Sequence, residues 1–287
     1  GDIPYTLEFY HSLSFHILRT HSLISRKPFK VIVLDCDGTL WDGIIEEDGI
    51  EGIKIDKHYQ AIQQFFIDCF NRGFLLCLSS KNTEASVLEV FKNHPSMLLK
   101  LEKHICSHRI NWNNKSQSIA EIAKELDLGL DSFIFIDDNK VECAEVRSKI
   151  PSVLSVELSG NSADRLSYLK NIWAFDTLKK KVAANNRTEF YKKNKLRNEL
   201  KEKSNSHADF LKKLKIKTRI SKANQRDYDR INELAQRTNQ FNLYPNSMTS
   251  IEIHESIIKE NSCLKVKVSD KFMDYGLVGA VFYELNT

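Results

Sequence analysis

The sequence predicts an α/β protein: a doubly wound parallel sheet, then a helical linker, then a second, smaller α+β unit. Three observations carry that expectation. Between residues 31 and 158, short runs rich in β-branched and aromatic residues alternate with amphipathic helical stretches, the pattern of crossovers onto a parallel sheet. Polar and acidic residues follow several of those runs directly, where such sheets place their sites. Beyond residue 175 the alternation gives way to a basic, helix-rich segment and then to a new strand pattern.

Taken in order, residues 1–29 contain "YTLEFYHSLSFHILRTHSLI", which reads as an N-terminal helix. Residues 30–175 are expected to form the first domain, with strands at "VIVL" (31–34), "LLCLS" (75–79), "HIC" (104–106), "FIFI" (133–136) and "VLSVEL" (153–158). Between them "HYQAIQQFFIDCFNRG" and "KSQSIAEIAKELDLG" have helical periodicity, with Gly73 and Gly129 as expected helix stops. Residues 176–208 read as a basic helical linker. Residues 209–287 supply strand "KIKTRIS", helix "QRDYDRINELAQRTNQ", a helix near residues 251–259, and strands "CLKVKVSD" and "GLVGAVFYEL". The sequence stops just after that last strand, so the second domain is expected to be incomplete.

With 287 residues, 41% hydrophobic and 28% charged, the chain can bury substantial cores. No apolar run has the length of a membrane span and no secretory or transit signal opens the chain, so no membrane partner is expected. The first residue is Gly1, which suggests a piece of a longer protein. Six cysteines (Cys36, Cys69, Cys77, Cys106, Cys143, Cys263) show no C-x-x-C pair and no zinc spacing. Reduced thiols and a cytoplasmic location are expected. Residues 176–204 hold ten Lys/Arg against four acids, a local +6 within a net +4. That run suits a solvated helix or a docking surface for an acidic partner. Nucleic acid is not expected, because only Phe190 and Tyr191 interleave the charges.

The chemistry concentrates in "KVIVLDCDGTLWDG", where Asp35 and Asp37 end an apolar run across a turn eased by Gly38. A carboxylate that attacks phosphorus needs a second carboxyl nearby, to protonate the leaving oxygen and then activate water. Two such carboxylates repel, and a hard cation such as Mg²⁺ relieves the repulsion while neutralising phosphate. "FIFIDDN" supplies further oxygen ligands in Asp137 and Asp138. Ser80 ends "LLCLSS" and Lys115 opens a helix in "NWNNKSQ", a hydroxyl and a cation suited to phosphate oxygens. Singly, each reads as a turn or cap residue; four matches in this order, each after a strand, read as a site.

This order, D-x-D-x-T, then Ser, then Lys, then paired acids, resembles the haloacid dehalogenase superfamily. The resemblance implies Asp35 as nucleophile, Asp37 as acid/base, and Ser80 and Lys115 as phosphate binders. It also implies Mg²⁺ held by Asp35, the Asp37 backbone carbonyl and Asp137, with Asp138 nearby. The longer strings "DIPYT", "VIVLDCDGTLW", "EEDG", "LLCLSSKN", "RINW", "LGLDSFIFIDDN", "VECAEVR", "WAFD", "RTNQFN" and "DYGLVG" together resemble the FkbH-like domains of polyketide assembly lines. That likeness implies loading of a glyceryl unit from 1,3-bisphosphoglycerate, with loss of phosphate, onto the thiol of a phosphopantetheinylated acyl carrier protein. It also implies an acetyltransferase-like second domain. The sequence departs from that family's usual Asn at Gly38, has Asp42, Ile45 and Glu46 where relatives differ, and has Lys140 in place of a frequent proline.

The family reaction is associated with an acyl-cysteine, and Cys36, beside the metal site, is the first candidate thiol, ahead of Cys143 and Cys77. Strand alternation would turn Cys36 away from Asp35 and into the core. Thr39 is expected to brace the turn. Asn82 could bind the glycerate or cap the next helix, and Arg109 and Asn111 could hold a carboxyl or a second phosphate. Asn239, Asn242 and Asp274 could face the incoming thiol arm. Two other functions remain open at this stage: a plain Mg²⁺-dependent phosphomonoesterase, and a catalytically silent docking domain.

Overall fold

A computed structural model describes residues 5–177, 184–237, 248–258 and 263–283. They fall into two compact units that divide between Lys192 and Lys193. The first unit runs α1 (Leu7–Ser25), β1 (Val31–Leu34), α2 (Ile45–Gly52, broken at Gly49), α3 (Lys57–Asn71), β2 (Leu75–Ser80), α4 (Glu84–Asn93) and α5 (Leu101–His104). It continues through β3 (Ile105–Ile110), α6 (Lys115–Leu126), β4 (Phe133–Asp137), α7 (Lys140–Lys149), β5 (Leu154–Glu157) and α8 (Ser162–Asn171). The unit boundary falls within α9 (Ala184–Glu202).

The five strands form one parallel sheet in the order β3-β2-β1-β4-β5. The order reverses at β1, and a crevice opens at such a switch point beyond the carboxyl ends of the strands. Strand alternation divides the core in two. Ile32, Leu34 and Cys36 join Leu76 and Leu78 on one face, covered by Tyr59, Ile62, Phe66 and Phe70 of α3 and Val87, Val90 and Phe91 of α4. Val31 and Val33 face the other way with Leu75, Cys77, Phe133 and Phe135, covered by Ile119, Ile122 and Leu126 of α6 and Val146 of α7. Both faces are therefore apolar, which is why the strands read as continuous rather than alternating runs.

Two helix ends are instructive. Gly73 takes φ +103° just after α3, as a helix stop should. α6 ends differently from the expectation at Gly129: Asp127 adopts the left-handed cap (φ 51°), two residues earlier. Aspartate tolerates that conformation better than most residues. The third strand is longer than "HIC" suggests, because "SHRI" continues it on a sheet edge, with His108 and Arg109 partly exposed and Ser107 buried. α1 buries none of its residues and is tied down by Arg19, which bonds the carboxylate of Asp176.

The second unit contains α10 (His207–Leu214), β6 (Lys217–Lys222), α11 (Tyr228–Arg237), α12 (Ser250–Ile258), β7 (Cys263–Ser269) and β8 (Asp274–Phe282). Its strands form an antiparallel sheet in the order β6-β7-β8. Ile231, Ile253, Ile257, Cys263 and Leu277 make its small core. Among the described residues no helix is long and apolar enough to cross a membrane.

Buried His104 closes α5 and accepts a hydrogen bond from the Lys100 amide at Nδ1 (2.9 Å). Burial, then the nearby Lys103, Lys100 and Lys192 charges, lower its pKa to about 4 from 6.5. The unfolded chain therefore binds a proton between those values that the native one refuses, so stability falls as pH drops through this window. Wild type should lose about 2 kcal/mol there relative to His104→Asn, which cannot take up the proton. Parallel pH profiles in urea titrations of the two proteins would rule this out.

Candidate active site at the carboxyl edge of the parallel sheet

Asp35 follows β1 directly; its amide donates to the Ile136 carbonyl (2.9 Å), which holds the residue against the end of β4. Ser80 ends β2 and Asp137 ends β4, so three neighbouring strands deliver side chains to one place. Lys115, the first residue of α6, is buried, and its ammonium bonds Asp35 Oδ1 and the Ser79 carbonyl (2.6 Å). The same nitrogen lies 3.2 Å from Asp137 Oδ2. Ser80 Oγ donates to Asp35 Oδ1 at 3.1 Å. Asp35 Oδ2 has no protein donor among the described residues.

Asp35, Asp137 and Asp138 each offer an oxygen, and these atoms lie within 4.8 Å of one another. Three hard oxygen donors at that spacing suit a divalent cation of the Mg²⁺ type. Burial, followed by the charge of Asp35, raises the pKa of Asp137 to about 7 and shifts that of Asp138 upward. Burial also acts against the Lys115 charge, but Asp35 and Asp137 more than offset it, so the ammonium is held firmly protonated.

The Asp37 carboxylate does not join this trio. Its Oδ1 accepts from Trp41 Nε1 (2.7 Å) and the Ile45 amide (3.2 Å), and its Oδ2 accepts from Asn82 Nδ2 (3.0 Å). Only its backbone is left to serve as a cation ligand. Burial raises its pKa in spite of these three donors. Asn82 also donates to Ser80 Oγ (3.0 Å), linking the acid/base candidate to the hydroxyl that touches Asp35. It does not cap α4; that work falls to Glu46, whose Oε1 accepts from the Thr83 amide (2.8 Å). Thr39 is wholly buried, with its amide on the Cys36 carbonyl (3.2 Å) and no partner for its hydroxyl among the described residues.

Several candidates lie elsewhere. Cys36 is wholly buried in the α3 face of the core, as strand alternation requires, and burial followed by the Asp35 charge pushes its thiol far up. Cys143 points its sulfur at the carbonyls of Asp137 and Val156 (3.6 Å each), and Cys77 fills the opposite core face. All six cysteines are buried, so none presents an exposed thiol. Arg109 is committed to two α6 carboxylates, Glu121 (3.0 Å) and Glu125 (2.8 Å), rather than to the groups around Asp35. Asn111 folds back on its own loop, accepting from the Asn113 amide (3.0 Å). Asp274 accepts from the Gly276 amide (2.8 Å) within the second unit. Asn239 and Asn242 lie outside the described residues.

Two groups escaped the sequence reading. Trp41 had a faint signal, an indole four residues after Asp37 on a turn. Arg165 had none: it bonds the Gly38 carbonyl across 127 residues.

No protein-family model matches the chain, and no curated protein matches it. Among solved structures it is similar to the N-terminal part of protein BF1531 from Bacteroides fragilis, which contains a phosphatase domain complexed with Mg. Identity is 33% and the TM-score 0.56, over 58% of this chain and 46% of that one. The chain thus spans less than half of that relative's length. Weaker likenesses include the haloacid dehalogenase domain of the effector Lem4 from Legionella pneumophila (13% identity, TM-score 0.39, 51% of this chain and 93% of that one). Another is the cobalt-bound deoxy-D-mannose-octulosonate 8-phosphate phosphatase from Haemophilus influenzae (16%, 0.32, 64% and 96%). The parallel-sheet unit has the haloacid dehalogenase-like fold.

Lys115→Met should expose the cost of gathering these acids. Removing one partner of a buried charge cluster typically costs about 3 kcal/mol, and a bound divalent cation should return part of it. An unchanged urea midpoint in metal-free buffer would mean that Lys115 does not stabilise the cluster.

Proposed function

We propose that the first unit is a Mg²⁺-dependent phosphatase working through an aspartyl-phosphate on Asp35. The observation that carries this reading is the convergence of Asp35, Ser80, Lys115, Asp137 and Asp138 at the strand ends, with a second carboxyl, Asp37, held apart from them. Asp35, Asp137 and Asp138 would hold the cation, together with the Asp37 carbonyl that the sequence resemblance implies. Bound there, Mg²⁺ supplies charge neutralisation for the phosphate oxygens.

The chain's own groups divide the rest. Asp35 attacks phosphorus through Oδ2, because Ser80 and Lys115 already hold Oδ1. Lys115 and Ser80, bonded to the same carboxylate, would also donate to a phosphate seated on that oxygen. As the new bond from Oδ2 forms, the bond from phosphorus to the leaving oxygen breaks, and Asp37 donates its proton to that oxygen. Burial favours the protonated form that this step needs. Asp37 then takes a proton from the water that cleaves the aspartyl-phosphate and releases inorganic phosphate. Trp41 and Asn82 fix the Asp37 carboxyl for both transfers.

For the substrate we infer a glyceryl unit drawn from 1,3-bisphosphoglycerate and destined for the thiol of a phosphopantetheinylated acyl carrier protein. Support comes from the extended strings shared with FkbH-like domains, from "VIVLDCDGTLW" to "DYGLVG". A mixed acyl phosphate is an activated acyl donor, and the remaining phosphate ester is the natural substrate of an aspartate phosphatase. The burial of every cysteine alters the route: the carrier's thiolate attacks the acyl phosphate directly, displacing phosphate, with no acyl-cysteine on this chain. The same burial favours the second reading, a plain phosphomonoesterase acting on a small metabolite.

Incubation with 1,3-bisphosphoglycerate, Mg²⁺ and phosphopantetheinylated carrier, followed by intact-protein mass spectrometry, separates the two. A glyceryl adduct on the carrier is expected; phosphate release without an adduct would reduce the function to the phosphatase. Asp35→Asn should lower phosphate release by at least about 100-fold and abolish the phosphoenzyme. Retention of either would remove Asp35 from its role.

A further inference from the structure

Arg165 belongs to none of the motifs above, yet its guanidinium ends at the nucleophile turn. It projects from α8 with only 9% of its surface exposed. Its Nε donates to the Gly160 carbonyl (3.2 Å), and its Nη1 to the Gly38 carbonyl and the Tyr59 phenol oxygen (3.4 Å). The Tyr59 hydroxyl in turn donates to the same Gly38 carbonyl at 3.4 Å. Two donors on one carbonyl fix the peptide that joins Gly38 to Thr39, within the turn that begins at Asp35.

Gly38 sits at φ +66°, and a Cβ there would run into the Asp138 carboxylate, with Cγ at 2.6 Å and Oδ1 at 2.8 Å. Asp138 therefore lies against the bare Cα of the residue whose carbonyl Arg165 holds. Lys115 is occupied with Asp35 and Asp137, whereas the Arg165 guanidinium is held on the Gly38 carbonyl, at the residue that Asp138 packs against.

We propose that Arg165 is a positioning residue for the cation site: it anchors the Gly38 peptide so that Asp138 stays seated over the turn, in register with Asp35 and Asp137. The assignment rests on reading these carboxylates as a Mg²⁺ site, and not on which ester is hydrolysed. Its sign distinguishes it from a charge effect. Deleting a positive charge beside a cation site tightens cation binding, by removing repulsion. Losing the seat of a ligand weakens it, typically by about 10- to 100-fold.

The test is calorimetric titration of the whole 287-residue chain with Mg²⁺ alone, for wild type, Arg165→Ala, Arg165→Lys and Tyr59→Phe. Arg165→Ala should weaken Kd about tenfold. Arg165→Lys, which keeps the charge but not the planar fork, should also weaken it. Tyr59→Phe removes the second donor and should weaken it less. An unchanged or tighter Kd in either arginine variant overturns the proposal. Should Arg165→Ala fail to fold by thermal melting, Arg165→Lys and Tyr59→Phe decide the question alone. A wild type that binds Mg²⁺ in an Arg165-dependent way but cleaves no phosphate ester would sink the phosphatase and leave this assignment standing.

Discussion

The buried ammonium of Lys115 is the contact on which the site depends. It joins Asp35 at the end of β1 to Asp137 at the end of β4, and anchors to the Ser79 carbonyl of β2. Each carboxylate pays a desolvation cost in that place, and each repels the other. A single cation shared between them offsets both effects, and because it starts α6, it also ties that helix to three strand ends. Burial, then the Asp35 charge, raises the pKa of Asp137, so a cation bound at these carboxylates would favour its ionised form.

The two-faced sheet explains how such polarity coexists with a dry core. Alternation along β1 sends Ile32, Leu34 and Cys36 to one apolar layer and Val31 and Val33 to the other. Asp35, though buried, stays out of both apolar layers because the strand ends there and its carboxylate meets Ser80 and Lys115 instead. Cys36, one residue on, cannot escape: the register that frees Asp35 seals the thiol among Ile32, Leu34 and the α3 side chains. Closeness in sequence to Asp35 is thus no guide to access, since neighbours along a strand face opposite sides.

The turn after β1 depends on a residue with no side chain. At Gly38 the space that a Cβ would take is filled by the Asp138 carboxylate. The left-handed conformation of Gly38, the carbonyl bonds from Arg165 and Tyr59, and the seat of Asp138 form one connected arrangement. Trp41 performs a parallel service for Asp37, holding it out of the carboxylate trio so that two acids in one loop keep separate surroundings.

The sequence by itself determined the parallel sheet, every strand but the third to within a residue at each end, and the four acids, serine and lysine at its carboxyl edge. These are local properties: apolar runs specify buried strands, and polar residues just past them have nowhere to go but the crevice. Only the tertiary structure decided which of the remaining polar side chains serve that crevice. Arg109, near the end of β3, turns to Glu121 and Glu125, whereas Arg165, far along the chain, reaches the turn after β1. A long side chain takes the partners that helix packing brings within its reach, and no local pattern records which helix will lie beside which strand end.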